Sequence, residues 1–155
     1  MLRLSKKADY GLIALTYMAA AGQRPVVSAR EMAEQHDIPV ELLAKVLQRL
    51  ARRGVLKSVQ GINGGYRLAR APQTISVAEV VEAIDGPLTL TACSDTSDTC
   101  DQFAKCSIRD PLHRIRERIA LALATCTVAE LAAERAPVPA TGASLPIRMM
   151  PTRPL

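Results

Sequence analysis

SAREMAEQHDIPVELLAKVLQRLARRGVLKSVQGINGGYRLAR, residues 28–70, contains two helical patterns, a tight connection between them, and an alternating apolar segment folded about glycines. Ser28 with Glu31 has the form of a capping box and opens a short helix through about Gln35. His36, Asp37 and Ile38 form the connection, and Pro39 suits the first position of the next helix, where its missing N–H costs nothing. That helix runs to Gly54, with Leu42, Leu43, Val46, Leu47 and Leu50 facing inward. Glu41, Ala44, Lys45, Gln48, Arg49, Arg52 and Arg53 form the outward or flanking set. VLKSVQ and YRLA then alternate around Gly61–Gly65, as a β-hairpin does. Two helices joined by a short turn, the second with a basic outer face, place a recognition helix in a DNA major groove, and the hairpin adds a wing. A merely solvated charged face is the competing reading of the helix pair. A nucleotide-binding loop is excluded, because no Lys-Ser/Thr follows the glycines and no helix opens from them.

Working outward, Ser5 caps a first helix whose Leu12, Ile13, Leu15 and Ala19 recur at helical spacing until Gly22. Downstream, Ser76 and Glu79 form a second capping box for a helix through Ile84, ended by Gly86-Pro87. Asp110-Pro111 starts a long helix with an apolar stripe of Leu112, Ile115, Ile119, Ala122 and Cys126. A stripe that regular calls for a second copy of the chain, although packing on its own core would also use it. Thr127 with Glu130 caps a last short helix, and PVPATGASLPIRMMPTRPL has the composition of a mobile tail. The expected fold is mainly α with a small β-hairpin: a winged helix-turn-helix domain plus a long dimerisation helix, in a homodimer. The expected divisions are 1–86 for DNA binding, 87–109 for a cysteine loop, 110–135 for dimerisation and the capping helix, and 136–155 for a disordered tail.

The chain has 155 residues and a formal charge of +5, distributed unevenly. Residues 1–75 hold 12 Lys and Arg against 5 Asp and Glu, and residues 76–155 hold 8 against 10. A basic first half is the footprint of a phosphate-backbone binder. With Phe103 and three Tyr as its aromatics, the core must be Leu, Ile, Val and Ala, which suits packed helices. The sequence shows no signal peptide and no membrane-spanning run, so a cytoplasmic protein without membrane partners is expected. No nucleophile–base pair or paired catalytic carboxylates suggest an enzyme. Ser28, Glu41, Lys45, Gln48, Arg49, Arg52, Lys57, Gln60 and Asn63 are the candidate contacts to double-stranded DNA, with Arg67 in reach of the backbone.

Residues 91–110, TACSDTSDTCDQFAKCSIRD, place Cys93, Cys100 and Cys106 in a polar stretch. In a reducing compartment, clustered thiols are metal ligands or redox sensors more often than disulfides. Three thiolates suit an iron-sulfur cluster or zinc, but the C-x6-C-x5-C spacing is not the paired C-x2-C of a zinc ribbon. Zinc is therefore the second reading. Cys126, on the apolar stripe, reads as a small buried hydrophobe.

The opening LRLSKKADYGLIAL, the segment LARRGVLKSV, the wing GINGGYRLAR, SVAEVVEAIDGP and the three-cysteine stretch together resemble the IscR/NsrR-type winged-helix transcription regulators over residues 1–133. MLRLSK, GPLTLTAC and CSIRDPLHRIRERI are most similar to the regulators of the SUF iron-sulfur assembly operon. The resemblance implies a homodimeric regulator, a repressor of iron-sulfur assembly genes, whose loop cysteines hold a cluster that responds to redox, iron or nitric oxide. Members with two-iron clusters carry His where this chain has Arg109, which favours 4Fe-4S over 2Fe-2S. Nitric-oxide-sensing members imply Asp9 of the partner subunit as the fourth ligand, beside Cys93, Cys100 and Cys106. Gln60 replaces the Arg common before the wing's first glycine, so the operator sequence does not transfer. The alternative of a different class is a zinc- or cluster-binding delivery or interaction module that lacks operator binding.

Overall fold

Hydroxyl side chains set the starts of four of the helices. In the computed structural model, which describes residues 3–22, 26–90 and 101–134, Ser5 Oγ accepts from Ala8 N at the start of α1 (Lys6–Ala20). Ser28 accepts from Glu31 N before α2 (Ala29–Gln35), and Ser76 from Glu79 N before α4 (Val77–Asp85). Thr127 and Glu130 complete both arms of a capping box at α6 (Val128–Ala133). Each such cap is worth about 1 kcal/mol. Between α2 and α4 lie α3 (Val40–Arg52), the antiparallel strands β1 (Leu56–Val59) and β2 (Gly65–Leu68), and a 3-10 turn, Pro72–Thr74. A second 3-10 turn, Phe103–Lys105, precedes α5 (Arg109–Thr125).

Two local expectations shift. Pro39 is the N-cap of α3, not its first helical residue; with ψ at 122° it is extended, and Asp37 at φ 52° makes the turn. Cys126 lies outside the long helix as its C-cap, with extended backbone, so it is not part of that helix's stripe.

The buried side chains are aliphatic, led by Leu15, Met32, Leu43, Leu47, Leu50, Leu56, Ile75, Val80 and Val128. They sit where α1 meets α3, α4 and α6. Gly11 permits the α1–α4 approach: a Cβ there would stand 2.5 Å from Ile84 Cδ1. The Tyr17 ring meets His36 edge-on at 5.5 Å and its hydroxyl donates to Glu31 at 3.1 Å, which fastens α1 to α2 and to the turn after it. α6 returns to the core through Val128, whose N–H donates to the Ile75 carbonyl, while Val77 N–H donates to the Cys126 carbonyl, each at 2.9 Å.

α5 behaves differently. None of its residues is buried, and Leu123 is its packing point on the core. Arg116, Ala120 and Leu123 line a cleft against α4, whereas Leu112, Ile115, Ile119 and Ala122 lie on a neighbouring strip. Ile115 is 45% exposed and Leu121 64%. Among the described residues no helix is long and apolar enough to cross a membrane.

Candidate nucleic-acid interface and cysteine segment

Burial of Leu43, Val46, Leu47 and Leu50 against the core turns the opposite face of α3 to solvent, with Glu41, Lys45, Gln48 and Arg52 exposed on it. Lys45, Gln48, Arg49, Arg52 and Arg53 line one shallow groove. Lys45–Arg49 and Arg49–Arg53 are like charges one turn apart, each costing a few tenths of a kcal/mol in an isolated helix, about 0.2–0.5. Among the described residues no acid is ion-paired with Lys45, Arg52 or Arg53. Proximity to the helix C-terminus offsets part of that repulsion for Arg49. A phosphate backbone would offset the rest.

Arg49 differs from its neighbours. Its Nε donates to the Ala83 carbonyl at 3.0 Å, in the last turn of α4, where carbonyls lack helical partners. Arg49 therefore ties α3 to α4, and its terminal nitrogens are what remain for a ligand.

The wing follows from the register Leu56↔Leu68, Lys57↔Arg67, Ser58↔Tyr66 and Val59↔Gly65. Leu56 is buried and Tyr66 and Leu68 are half-buried on the inner face, which leaves Lys57 and Arg67 outside. Val27 and Tyr66 exchange two backbone bonds of 2.9 and 2.8 Å, so the hairpin is held against the segment leading to α2. Gln60 and Asn63 are exposed near the tip. Ser28, at the other side of this junction, uses its hydroxyl to cap α2.

Of the sequence-derived ligands, Cys93 and Cys100 lie outside the described residues. Cys106 is half-buried at the end of the Phe103–Lys105 turn, just ahead of α5. Asp9 is exposed in the first turn of α1. Among the described residues no cluster of metal-ligating groups occurs. Arg109 donates to Asp110 at 2.9 Å and holds that carboxyl below its usual range, first through this hydrogen bond. His113 has Glu117 at 3.5 Å from Nδ1 and Arg116 at 3.0 Å from Nε2, so both ring nitrogens are engaged on the surface of α5. Burial, followed by the Glu130 carboxylate, pushes the Cys126 thiol up, which disfavours the thiolate that a metal requires.

One contact was invisible in the sequence. Asp85, ending α4, accepts from Ser5 N at 3.2 Å and from Ser5 Oγ at 2.6 Å across 80 residues of chain. It joins the end of α4, from which the cysteine segment departs, to the start of α1, which carries Asp9. A carboxylate at a helix C-terminus opposes the helix dipole and would signal such a tertiary partner, but it does not identify it.

The helix pair, basic face and docked hairpin define a winged helix-turn-helix transcription regulator. Residues 4–134 match the Rrf2 family, described as iron-dependent transcriptional regulators, and the chain belongs to that family. Solved structures similar to it include CymR (YrzC), the global cysteine regulator of B. subtilis, at 25% identity and TM-score 0.72, covering 86% of this chain and 98% of that one. T. potens IscR aligns at 23% identity and TM-score 0.70, covering 92% and 94%. Staphylococcus aureus CymR aligns at 23% and 0.65, covering 83% and 96%.

Proposed function

We propose that this chain is a homodimeric, cytoplasmic repressor that binds duplex DNA and senses cluster status through an iron-sulfur cluster, with iron-sulfur assembly genes as its targets. The observation that carries the DNA reading is the run of unneutralised cations from Lys45 and Arg52 on α3 to Lys57 and Arg67 on the wing. Glu41, Lys45 and Gln48 would face bases, and Arg52, Lys57, Gln60 and Asn63, with Ser28 and the terminal nitrogens of Arg49, would face phosphates or the minor groove. Support for the dimer comes from Ile115 and Leu121, exposed on a helix with no buried residue.

The donor set fits a cluster: Cys93, Cys100 and Cys106 supply soft thiolates, and Asp9 of the partner subunit supplies a harder carboxylate at a labile corner. When bound, the cluster would supply a centre that oxygen, nitric oxide or iron depletion can destroy. This chain's part is to hold the end of α4 from which the segment departs. Asp85 anchors the side near α1, and Arg49 anchors the same end of α4 to the recognition helix. A change in the segment would thereby bias the position of α3.

The test is anaerobic purification with measurement of iron, sulfide and visible absorbance, for wild type and each Cys→Ala variant. DNA affinity is compared before and after exposure to air. Loss of absorbance without Cys93, Cys100 or Cys106, and retention without Cys126, is the expected result. Colourless zinc-loaded protein without operator binding would favour the metal-delivery alternative.

A further inference from the structure

Ile62 is fully exposed, at 105%, on the outermost point of the wing. Gly64 N–H donates to the Gly61 carbonyl at 3.0 Å, which makes Ile62 and Asn63 the two central residues of a closed turn. Turn chemistry accounts for Asn63, Gly61 and Gly64, but a β-branched apolar side chain has no role in such a turn. Among the described residues Ile62 is not one of the hydrophobics packed against the core. The turn is also narrow: a Cβ at Gly64 would stand 2.5 Å from the Val59 carbonyl oxygen.

Behind this tip, Lys57 and Arg67 face each other directly across the strands. Like charges in that position destabilise a hairpin. Among the described residues neither has an ion-pair partner. A slim, apolar tip backed by two unneutralised cations matches one surface in particular. In the DNA minor groove an apolar side chain can enter a base step and partly unstack it while cations meet the phosphates on either side.

We propose that Ile62 is an apolar wedge that the wing sets into the minor groove, so that the protein selects deformable pyrimidine–purine steps beside the bases facing α3. TA and CA steps unstack most easily, so the preference arises from the cost of deformation without hydrogen bonds to bases. The inference rests on the DNA-binding reading and assigns it a further specificity-determining residue.

The experiment selects binding sites from a random-sequence duplex pool with full-length wild type, Ile62→Ser and Ile62→Phe in parallel. Wild type and the Phe variant should enrich pyrimidine–purine steps flanking the positions read by α3. The Ser variant should keep the α3-dependent positions and lose the flanking preference by about tenfold. Its affinity for random duplex and the salt slope of that affinity should be unchanged, because no charge is altered. 2-Aminopurine placed in the enriched step should brighten on binding wild type and stay dark with Ile62→Ser. Equal enrichment by the Ser variant overturns the proposal, as does a loss spread evenly over all positions. A change in self-association of the DNA-free Ser variant also overturns it, by assigning the tip to contact between protein chains. Failure of wild type to retain any duplex at about 50 mM salt overturns the DNA reading beneath it, an outcome distinct from the others.

Discussion

Replacing Gly65 with alanine tests whether the wing is held by backbone contact. Gly65 has no positive φ, so alanine itself fits the local conformation. On that ground alone the change should stabilise the protein by about 0.4–1 kcal/mol, through the lower entropy of the unfolded chain. The tertiary contact predicts the opposite. An added Cβ would stand 2.4 Å from the Val27 carbonyl oxygen, 2.8 Å from its carbon and 3.0 Å from Ser28 Cα, all main-chain atoms. Relief requires β2 to draw away from Val27, and the two Val27–Tyr66 bonds of 2.9 and 2.8 Å weaken together. At about 1 kcal/mol each, their loss outweighs the entropic gain and leaves a net destabilisation of about 1–2 kcal/mol. Urea unfolding at fixed protein concentration measures it, and DNA affinity should fall as the hairpin loses its seat. A variant more stable than wild type by about 0.5–1 kcal/mol would refute the docking argument.

A double-mutant cycle on Ser5→Ala and Asp85→Ala should give a coupling of about 1 kcal/mol, small because the pair is exposed; additive effects in urea unfolding would deny the bond from the Ser5 hydroxyl to Asp85. Arg49→Ala should cost about 1–2 kcal/mol of stability by stranding the Ala83 carbonyl, while Arg52→Ala should stay within about 0.5 kcal/mol. The Arg52 variant should instead lower the salt slope of DNA binding by about one, and equal stability losses in the two variants would erase the distinction. Cys126 should react with iodoacetamide more slowly than Cys106 in metal-free protein near neutral pH, because burial and Glu130 keep its thiol protonated. Matching rates, followed by mass spectrometry, would contradict that.

Local chemistry made most of the elements legible from sequence. Ser5, Ser28, Ser76 and Thr127 read as caps because a hydroxyl satisfies orphan N–H groups within three residues of chain. The inward set of α3 follows from its period, and the glycine turn from the residues that allow it. Pro39 shifted by one position because Asp37 takes the left-handed conformation and the chain is still extended at the proline. Cys126 left the stripe for a similar reason: spacing alone does not say where a helix stops, and pairing of its carbonyl with Val77 N–H does. The Asp85 latch, the Arg49 strut and the seat of the wing on Val27 were settled only by tertiary structure. Each depends on the angle at which elements far apart in sequence cross, and periodicity carries no information about that angle.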